Sequence, residues 1–290
     1  MGVDAAGLGL MTLARAGGAD FRRVATIGRQ SLEVGADEIA AFFRARGRPD
    51  LAATWQEGSA EKYCEGLLKS AFGAKEVQSF DASDYEQATI VHDMNRPLAT
   101  PARFPVVLDF GTLEHVFNVA VAFDNVAALC AEGGHILHVL PGNNLAGHGF
   151  YQFSPEFFFQ VYAQERGYAG TRVFAVVAGD SEHWYEIRSP REARGRVNLT
   201  SKRPFYLLVL TKKENEATPL AQQPVQQSDY VELWREKQAA SVNAKRSPIE
   251  AAVRKAFSGF RHERKAARLD VTRARADVTR QRVLSLTPTF

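Results

Sequence analysis

The clearest alternation of apolar and polar positions lies in residues 104–144. Val106-Val107-Leu108 is a short apolar run that stops at Asp109, and Gly111-Thr112 follows as a turn. From residue 113 to 131 apolar side chains recur at helical spacing, at Val116, Phe117, Val119, Ala120, Phe123, Val126, Ala127 and Cys130, and Gly133-Gly134 is placed to end that helix. Residues 136–140 read as a second buried strand with His138 inside it, stopped by Pro141-Gly142. Strand, helix, strand with short connections predicts a βαβ unit with parallel strands and a right-handed crossover. In such sheets ligands bind beyond the carboxyl ends of the strands. Asp109, Gly111, Glu114 and His115 follow the first strand, and Asn143, Asn144 and His148 follow the second.

The rest of the chain repeats the pattern. Residues 24–27, 77–80, 89–91, 173–177 and 205–210 read as further strands. Helices are predicted at 36–45, at 59–72 with Ser59 as cap and Gly73 as stop, and from Ser154-Pro155 to about residue 166, ended by Gly167. Residues 1–20 suggest a loose helix or an arm, and 47–58 a loop. Residues 142–152 form a glycine-rich polar loop expected to close over a ligand. A polar connection containing His183, Trp184 and Tyr185 separates the last two strands, which should pair antiparallel. The fold class is therefore α/β: a Rossmann-like, doubly wound, seven-stranded sheet, mostly parallel with an antiparallel last strand, and helices on both faces.

Composition is that of a globular chain of 290 residues, 45% apolar and 24% charged. No apolar run approaches the roughly 20 residues of a membrane span, and residues 1–24 lack the basic-then-apolar order of a secretory signal. Cys64 and Cys130 both sit in apolar helical patterns, the placement of core thiols in a reducing cytoplasm rather than of a disulfide or metal site. No zinc-ligand spacing, phosphate-loop lysine or nucleophile elbow is present, so no metal is expected. Net charge is uneven. Residues 245–282 carry twelve Lys and Arg against four Asp and Glu, a net +8 that leaves about −5 for the rest.

That tail reads as helical, with a weak seam through Phe257, Phe260, Ala267, Val271 and Val278. Charge complementarity with the acidic body predicts docking on protein, either the same chain or a second copy in a homodimer. It predicts neither nucleic-acid binding nor membrane insertion. The expected division is 1–213 as the α/β unit with an insertion at about 29–58, 214–246 as linker or surface wrap, and 247–290 as basic helical tail.

Several stretches together, SFDASDYEQATIVHDMN, VVLDFGTLEHVFN, GGHILHVLPGNN and GHGFYQFSPE, resemble a class I S-adenosylmethionine-dependent methyltransferase. The combination resembles a bacterial subgroup associated with surface polysaccharides or small molecules, and the resemblance covers about residues 22–213. The resemblance implies S-adenosylmethionine as cofactor, with Asp81 on the ribose hydroxyls and Asp93 and Met94 flanking the adenine. Asp109 and Gly111 would lie along the methionine part. Gly28 is the one glycine where that class usually has a glycine-rich loop, and Arg29 beside it would pair with the cofactor carboxylate. Asn143, Asn144 and Tyr151 would face a small polar acceptor such as a sugar, and His148 or His115 would be the base. Two other readings are a catalytically inactive methyltransferase-like binding module, motivated by the missing glycines, and a nicotinamide-dependent oxidoreductase, disfavoured because no dinucleotide fingerprint follows the first strand.

Overall fold

A computed structural model describes residues 2–56, 62–99, 102–193, 197, 199–231, 233–235, 237, 269–270 and 278–282. The chain begins with strand β1 (Gly2–Val3) and helix α1 (Ala5–Ala16). Asp4 caps α1 by accepting the Gly7 N–H at 2.8 Å. The helix is buried continuously from Ala6 to Ala14, which is why its sequence has no polar face. Strands β2 (Arg23–Ile27) and β3 (Ser31–Leu32) follow, and β3 pairs parallel with β1. Helices α2 (Ala36–Ala45), α3 (Pro49–Gln56) and α4 (Glu65–Phe72) lead to β4 (Glu76–Asp81), β5 (Ile90–Val91) and β6 (Phe104–Phe110). A 3-10 turn (Leu113–His115) precedes α5 (Val119–Leu129) and β7 (Cys130–Asn143). Then come α6 (Pro155–Val161), β8 (Tyr168–Val177), β9 (His183–Ile187), α7 (Pro190–Ala193), β10 (Leu199–Thr200) and β11 (Phe205–Lys213). The described tail residues form β12 (Leu269–Asp270) and β13 (Val278–Arg282).

The main sheet runs β13-β9-β8-β11-β7-β6-β2-β4-β5. From β7 to β5 all pairs are parallel, whereas β11 pairs antiparallel with both β7 and β8. Side chains alternate between two cores. Val24, Val106, Leu108 and Phe110 face the layer of α1, α2 and α4, while Ala25, Ile27, Val107 and Ile136 face that of α5 and α6. This is the doubly wound α/β fold that the patterning predicts. Among the described residues no helix is long and apolar enough to cross a membrane.

Several elements differ from expectation, each for a local reason. Among the described residues the main sheet has nine strands rather than seven. β9 was hidden among charged neighbours, yet Trp184 packs into one core and Tyr185 and Ile187 into the other. β13 falls in the expected helical tail. Its Val278-Thr279 pair is β-branched, and it adds antiparallel to β9 from Val278↔Ile187 to Arg282↔His183. Phe257, Phe260, Ala267 and Val271 of the expected seam lie outside the described residues, as does Ser59. The helix expected at 113–131 begins only at Val119, because Asp109 Oδ1 accepts the N–H groups of Thr112 and Leu113 and tightens the chain into a turn. It ends at Leu129, and Gly133 (φ 78°) bends the start of β7 instead of capping a helix. Residues 49–56, expected as loop, form α3 with Pro49 in its first position. Beyond β11, the Arg166 guanidinium donates to the carbonyls of Thr218 and Gln223 and so ties residues 214–223 across the body. Arg103 pairs with Glu216, and Asp124 accepts the Leu220 N–H.

Candidate functional site

The carboxyl ends of β2, β4, β5, β6 and β7 bring most of the predicted residues to one edge. Gly28 follows β2 with φ 73° and donates its N–H to Phe80 O at 2.7 Å. A Cβ there would lie 2.5 Å from Thr112 Oγ1, so only glycine lets the turns after β2 and β6 press together. Gln30, 2% exposed, gives its amide N–H to Ile27 O and leaves Oε1 without a hydrogen-bond partner. Arg29 is placed otherwise than expected. It pairs with Glu65 at 2.7 Å, donates to Glu86 O at 2.9 Å and lies 4.0 Å above the Tyr63 ring, which ties the insertion to the loop after β4.

Asp81 ends β4, half-buried. Its Oδ1 accepts the Ala82 N–H at 2.7 Å, and its other oxygen has no partner among the described residues. Asp93 Oδ1 accepts both the backbone N–H and the side-chain amide of Asn95 at 2.9 and 2.8 Å, and these bonds hold its carboxyl below the usual range. Met94 was expected to cover a ring face, but it is 3% exposed and packs in the core under α5.

Asp109 also turns inward. It is fully buried at the end of β6, and the β6–β7 register sets it opposite His138. Its Oδ2 lies 2.7 Å from His138 Nδ1, and His138 Nε2 lies 2.6 Å from Tyr162 Oη. The hydrogens run consistently in one direction: Tyr162 O–H donates to Nε2, and Nδ1–H donates to the carboxylate. Burial pushes the Tyr162 phenol well above its ordinary pKa, so it keeps the proton this chain needs. Gly111 (φ 92°) completes the turn that Asp109 Oδ1 braces, and only backbone remains to face a ligand there.

The Asn143–Tyr151 stretch is folded down on the turn after β6. Phe150 N–H and Tyr151 N–H donate to Glu114 O at 2.8 and 3.2 Å, and Tyr151 Oη donates to Phe117 O at 2.6 Å. Asn143 closes β7 opposite Phe205. Asn144 (φ 60°) donates its amide to Ser201 O at 2.6 Å, anchoring the loop start. Gly149 permits the approach, since a Cβ there would come within 2.9 Å of Glu114 O.

This fold-down assembles a trio. Glu114 is fully buried, and His148 Nε2 and His115 Nε2 lie 3.3 and 3.7 Å from its Oε1. The two rings are 5.2 Å apart. The alignment is not that of hydrogen bonds, and Glu114 Oε1, Glu114 Oε2 and His148 Nε2 are buried without a hydrogen-bond partner. Burial, and then the charge of Asp109, push the Glu114 carboxyl up to about 8. Burial and His148 lower His115. Phe117 and Phe150, 71% and 67% exposed, meet edge-to-face at 5.9 Å beside the trio.

The raised Glu114 carboxyl has a signed consequence for metal-free, chelator-treated protein. Between its unfolded value and about 8, the folded state holds a proton that the unfolded state releases. Stability from this group is complete below the unfolded value and is lost as pH rises through about 8. Urea melts should therefore show wild type losing stability relative to Glu114→Gln between about pH 5 and pH 8.5. Parallel profiles would refute the assignment.

No family model and no curated protein matches the sequence. Solved structures with a similar layout include 1,6-didemethyltoxoflavin-N1-methyltransferase from Burkholderia thailandensis, at 16% identity and TM-score 0.37, over 73% of this chain and 79% of that one. The N-methyltransferase NodS from Bradyrhizobium japonicum WM9 is 13% identical with TM-score 0.37, over 71% and 93%. The YcgJ protein of Bacillus subtilis is 12% identical with TM-score 0.38, over 72% and 99%. With TM-scores below 0.5, nothing about substrate or cofactor passes from those proteins to this one.

The residues present do fit the cofactor implied by the sequence resemblance. Asp81 keeps one carboxylate oxygen for a vicinal diol. The orphaned Gln30 Oε1 beside Gly28 is an acceptor suited to an ammonium group. Helical spacing argues against a Glu114–His115 pair, since neighbours on a helix point about 100° apart, and no pattern in the sequence brings His148 to Glu114. The returning loop brings His148 to Glu114 at 3.3 Å, and the His115 side chain reaches to 3.7 Å from the same oxygen. A cavity of about 400 Å³ lined by Leu13, His135, Arg172 and Lys212 lies at the opposite end of the sheet, away from all of these groups.

Proposed function

We propose that the chain transfers a methyl group from S-adenosylmethionine to a hydroxyl of a small polar acceptor. The observation that carries this reading is the pairing, on one sheet edge, of a strand-end carboxylate with an open oxygen at Asp81 and an unpartnered Glu–His–His trio after β6. β4 and β6 flank β2, so the strands that lead to the two features are about 10 Å apart at the usual strand spacing. That separation suits a cofactor whose nucleoside end and reactive end engage different groups.

When bound, the cofactor supplies an electrophilic methyl on a sulfonium. The chain's own work is to bind, align and manage a proton. Asp81 accepts the ribose hydroxyls, Gln30 Oε1 the methionine ammonium, and the Gly111 turn borders the methionine part through its backbone. Phe117 and Phe150 form an apolar wall that keeps water from the acceptor. In metal-free protein, His148 Nε2 takes the acceptor's proton, with His115 beside it. Residues 1–213 form the catalytic unit in this reading, with 29–58 as an insertion. Residues 214–223 run across the surface of this unit, and the described residues 278–282 add an edge strand to its sheet. A sugar or polysaccharide precursor is the acceptor class suggested by the sequence resemblance.

Calorimetric titration with S-adenosylmethionine tests the reading. Wild type should bind saturably, and Asp81→Ala should weaken binding by about 1.5–3 kcal/mol, the range for a hydrogen bond to a charged group. No heat at millimolar cofactor would overturn the reading and leave the binding-module alternative. Unchanged affinity in folded Asp81→Ala would overturn the role of Asp81.

A further inference from the structure

The Glu114–His115–His148 cluster has more in its geometry than a proton acceptor requires. One carboxylate oxygen and two imidazole nitrogens, one from each residue, all lie within 4.8 Å of one another. Donors bound at about 2.0–2.2 Å to a tetrahedral ion sit about 3.4 Å from each other. The Glu114–His148 and Glu114–His115 separations of 3.3 and 3.7 Å bracket that value. A buried carboxylate with neither oxygen hydrogen-bonded is costly unless a proton or a cation joins it. A proton on Glu114 would satisfy one of its oxygens but does not explain why two histidines converge on it from separate segments.

The convergence is built by the backbone. Glu114 and His115 sit on a 3-10 turn fixed by Asp109, and His148 is carried in by a loop whose Phe150 and Tyr151 N–H groups clamp Glu114 O. Glu114 is buried, His148 is partly covered and His115 is exposed, so the cluster reaches solvent on its His115 side.

We infer that Glu114, His115 and His148 form a divalent-metal site with open coordination positions. Two nitrogens and one oxygen suit zinc, cobalt, manganese or ferrous ions over magnesium or calcium, which favour all-oxygen sets. Three protein ligands with the remainder open is the arrangement of catalytic rather than structural sites. The further consequence rests on the methyl-transfer reading: the acceptor would be a molecule with two neighbouring oxygens that chelate the ion. Its hydroxyl would ionise on the metal, with the proton passing to water, and His148 Nε2 would then be a ligand and not the base.

The test uses the full chain after chelator treatment and dialysis, without S-adenosylmethionine. Zn²⁺ is titrated by calorimetry, and Co²⁺ is followed by its visible d–d absorption. One equivalent should bind, and a large excess of Mg²⁺ should not displace it. Even outer-shell partners of a metal are worth about 10–100-fold in affinity, so Glu114→Gln and His148→Ala should each weaken Zn²⁺ by at least about 100-fold. His115→Ala, at the exposed side, serves as the third variant, and thermal melts confirm that each is folded. Absence of saturable Zn²⁺ and Co²⁺ binding overturns the inference. So does binding that survives unchanged in all three folded variants, which would place the ion elsewhere. Metal binding without cofactor binding would sink the methyl-transfer reading and leave the metal site standing.

Discussion

Asp109→Ala should cost the fold about 3–5 kcal/mol, because several hydrogen bonds to one buried carboxylate are lost together at about 1.5–3 kcal/mol each. The substitution strips three acceptances at once: the Thr112 and Leu113 N–H groups and His138 Nδ1. His138 and Tyr162 would remain with no exposure and a hydrogen pointing at a void. Asp109→Asn retains one acceptor for the turn but sets an amide N–H₂ against Nδ1–H, so it should fall between wild type and alanine. Urea denaturation measures both. A loss under about 1 kcal/mol for alanine would mean the network is replaceable.

His148→Ala should reduce turnover by about 10²–10⁴-fold, the usual contribution of a positioned proton acceptor. The affinity for S-adenosylmethionine should barely change, because no hydrogen bond or ion pair joins His148 to Gly28, Gln30 or Asp81. The metal reading predicts the same split, and the two diverge under rescue. Added imidazole should restore some activity where the histidine is a base, whereas excess Zn²⁺ should restore it where the histidine is a ligand. Parallel loss of cofactor affinity and turnover would assign His148 to the cofactor pocket instead.

The parallel half of the sheet is legible in the chain because short runs rich in apolar residues stop at a turn-forming or polar residue, Ile27 before Gly28, Phe80 before Asp81 and Leu140 before Pro141. Val106-Val107-Leu108 before Asp109 is the plainest case, and α2 matches its periodicity to the residue. What periodicity misreads is local hydrogen bonding. Nothing in the spacing of Val116 and Phe117 reveals that Asp109 would tie up two N–H groups and break the helix there. The same side chain misleads at the site. A carboxylate at a strand end suggests a ligand contact, yet the register that pairs β6 with β7 turns it toward His138. That register could be read from the two apolar runs by aligning them, but which face Asp109 occupies depends on the pleat. Glu114 and His148 are 34 positions apart, and their meeting depends on a loop whose folding rests on backbone bonds to one carbonyl. β9 escapes because a five-residue strand is short enough for flanking charges to dominate any window.

The placement of β11 between β7 and β8 also bears on how the molecule is made. Synthesis proceeds from the amino end, so β7 and β8 both emerge with unpaired edges facing a gap that only residues 205–213 can fill. Until then the nascent chain holds two apolar strands of 14 and 10 residues with open hydrogen-bonding edges, a form prone to pairing with other chains. Stop codons or ribosomal stalls shortly before residue 205 should therefore yield aggregates rather than a smaller folded unit. Completion of β11, together with the Lys213 bonds to the carbonyls of Ala127 and Cys130, marks the point at which the sheet can first close.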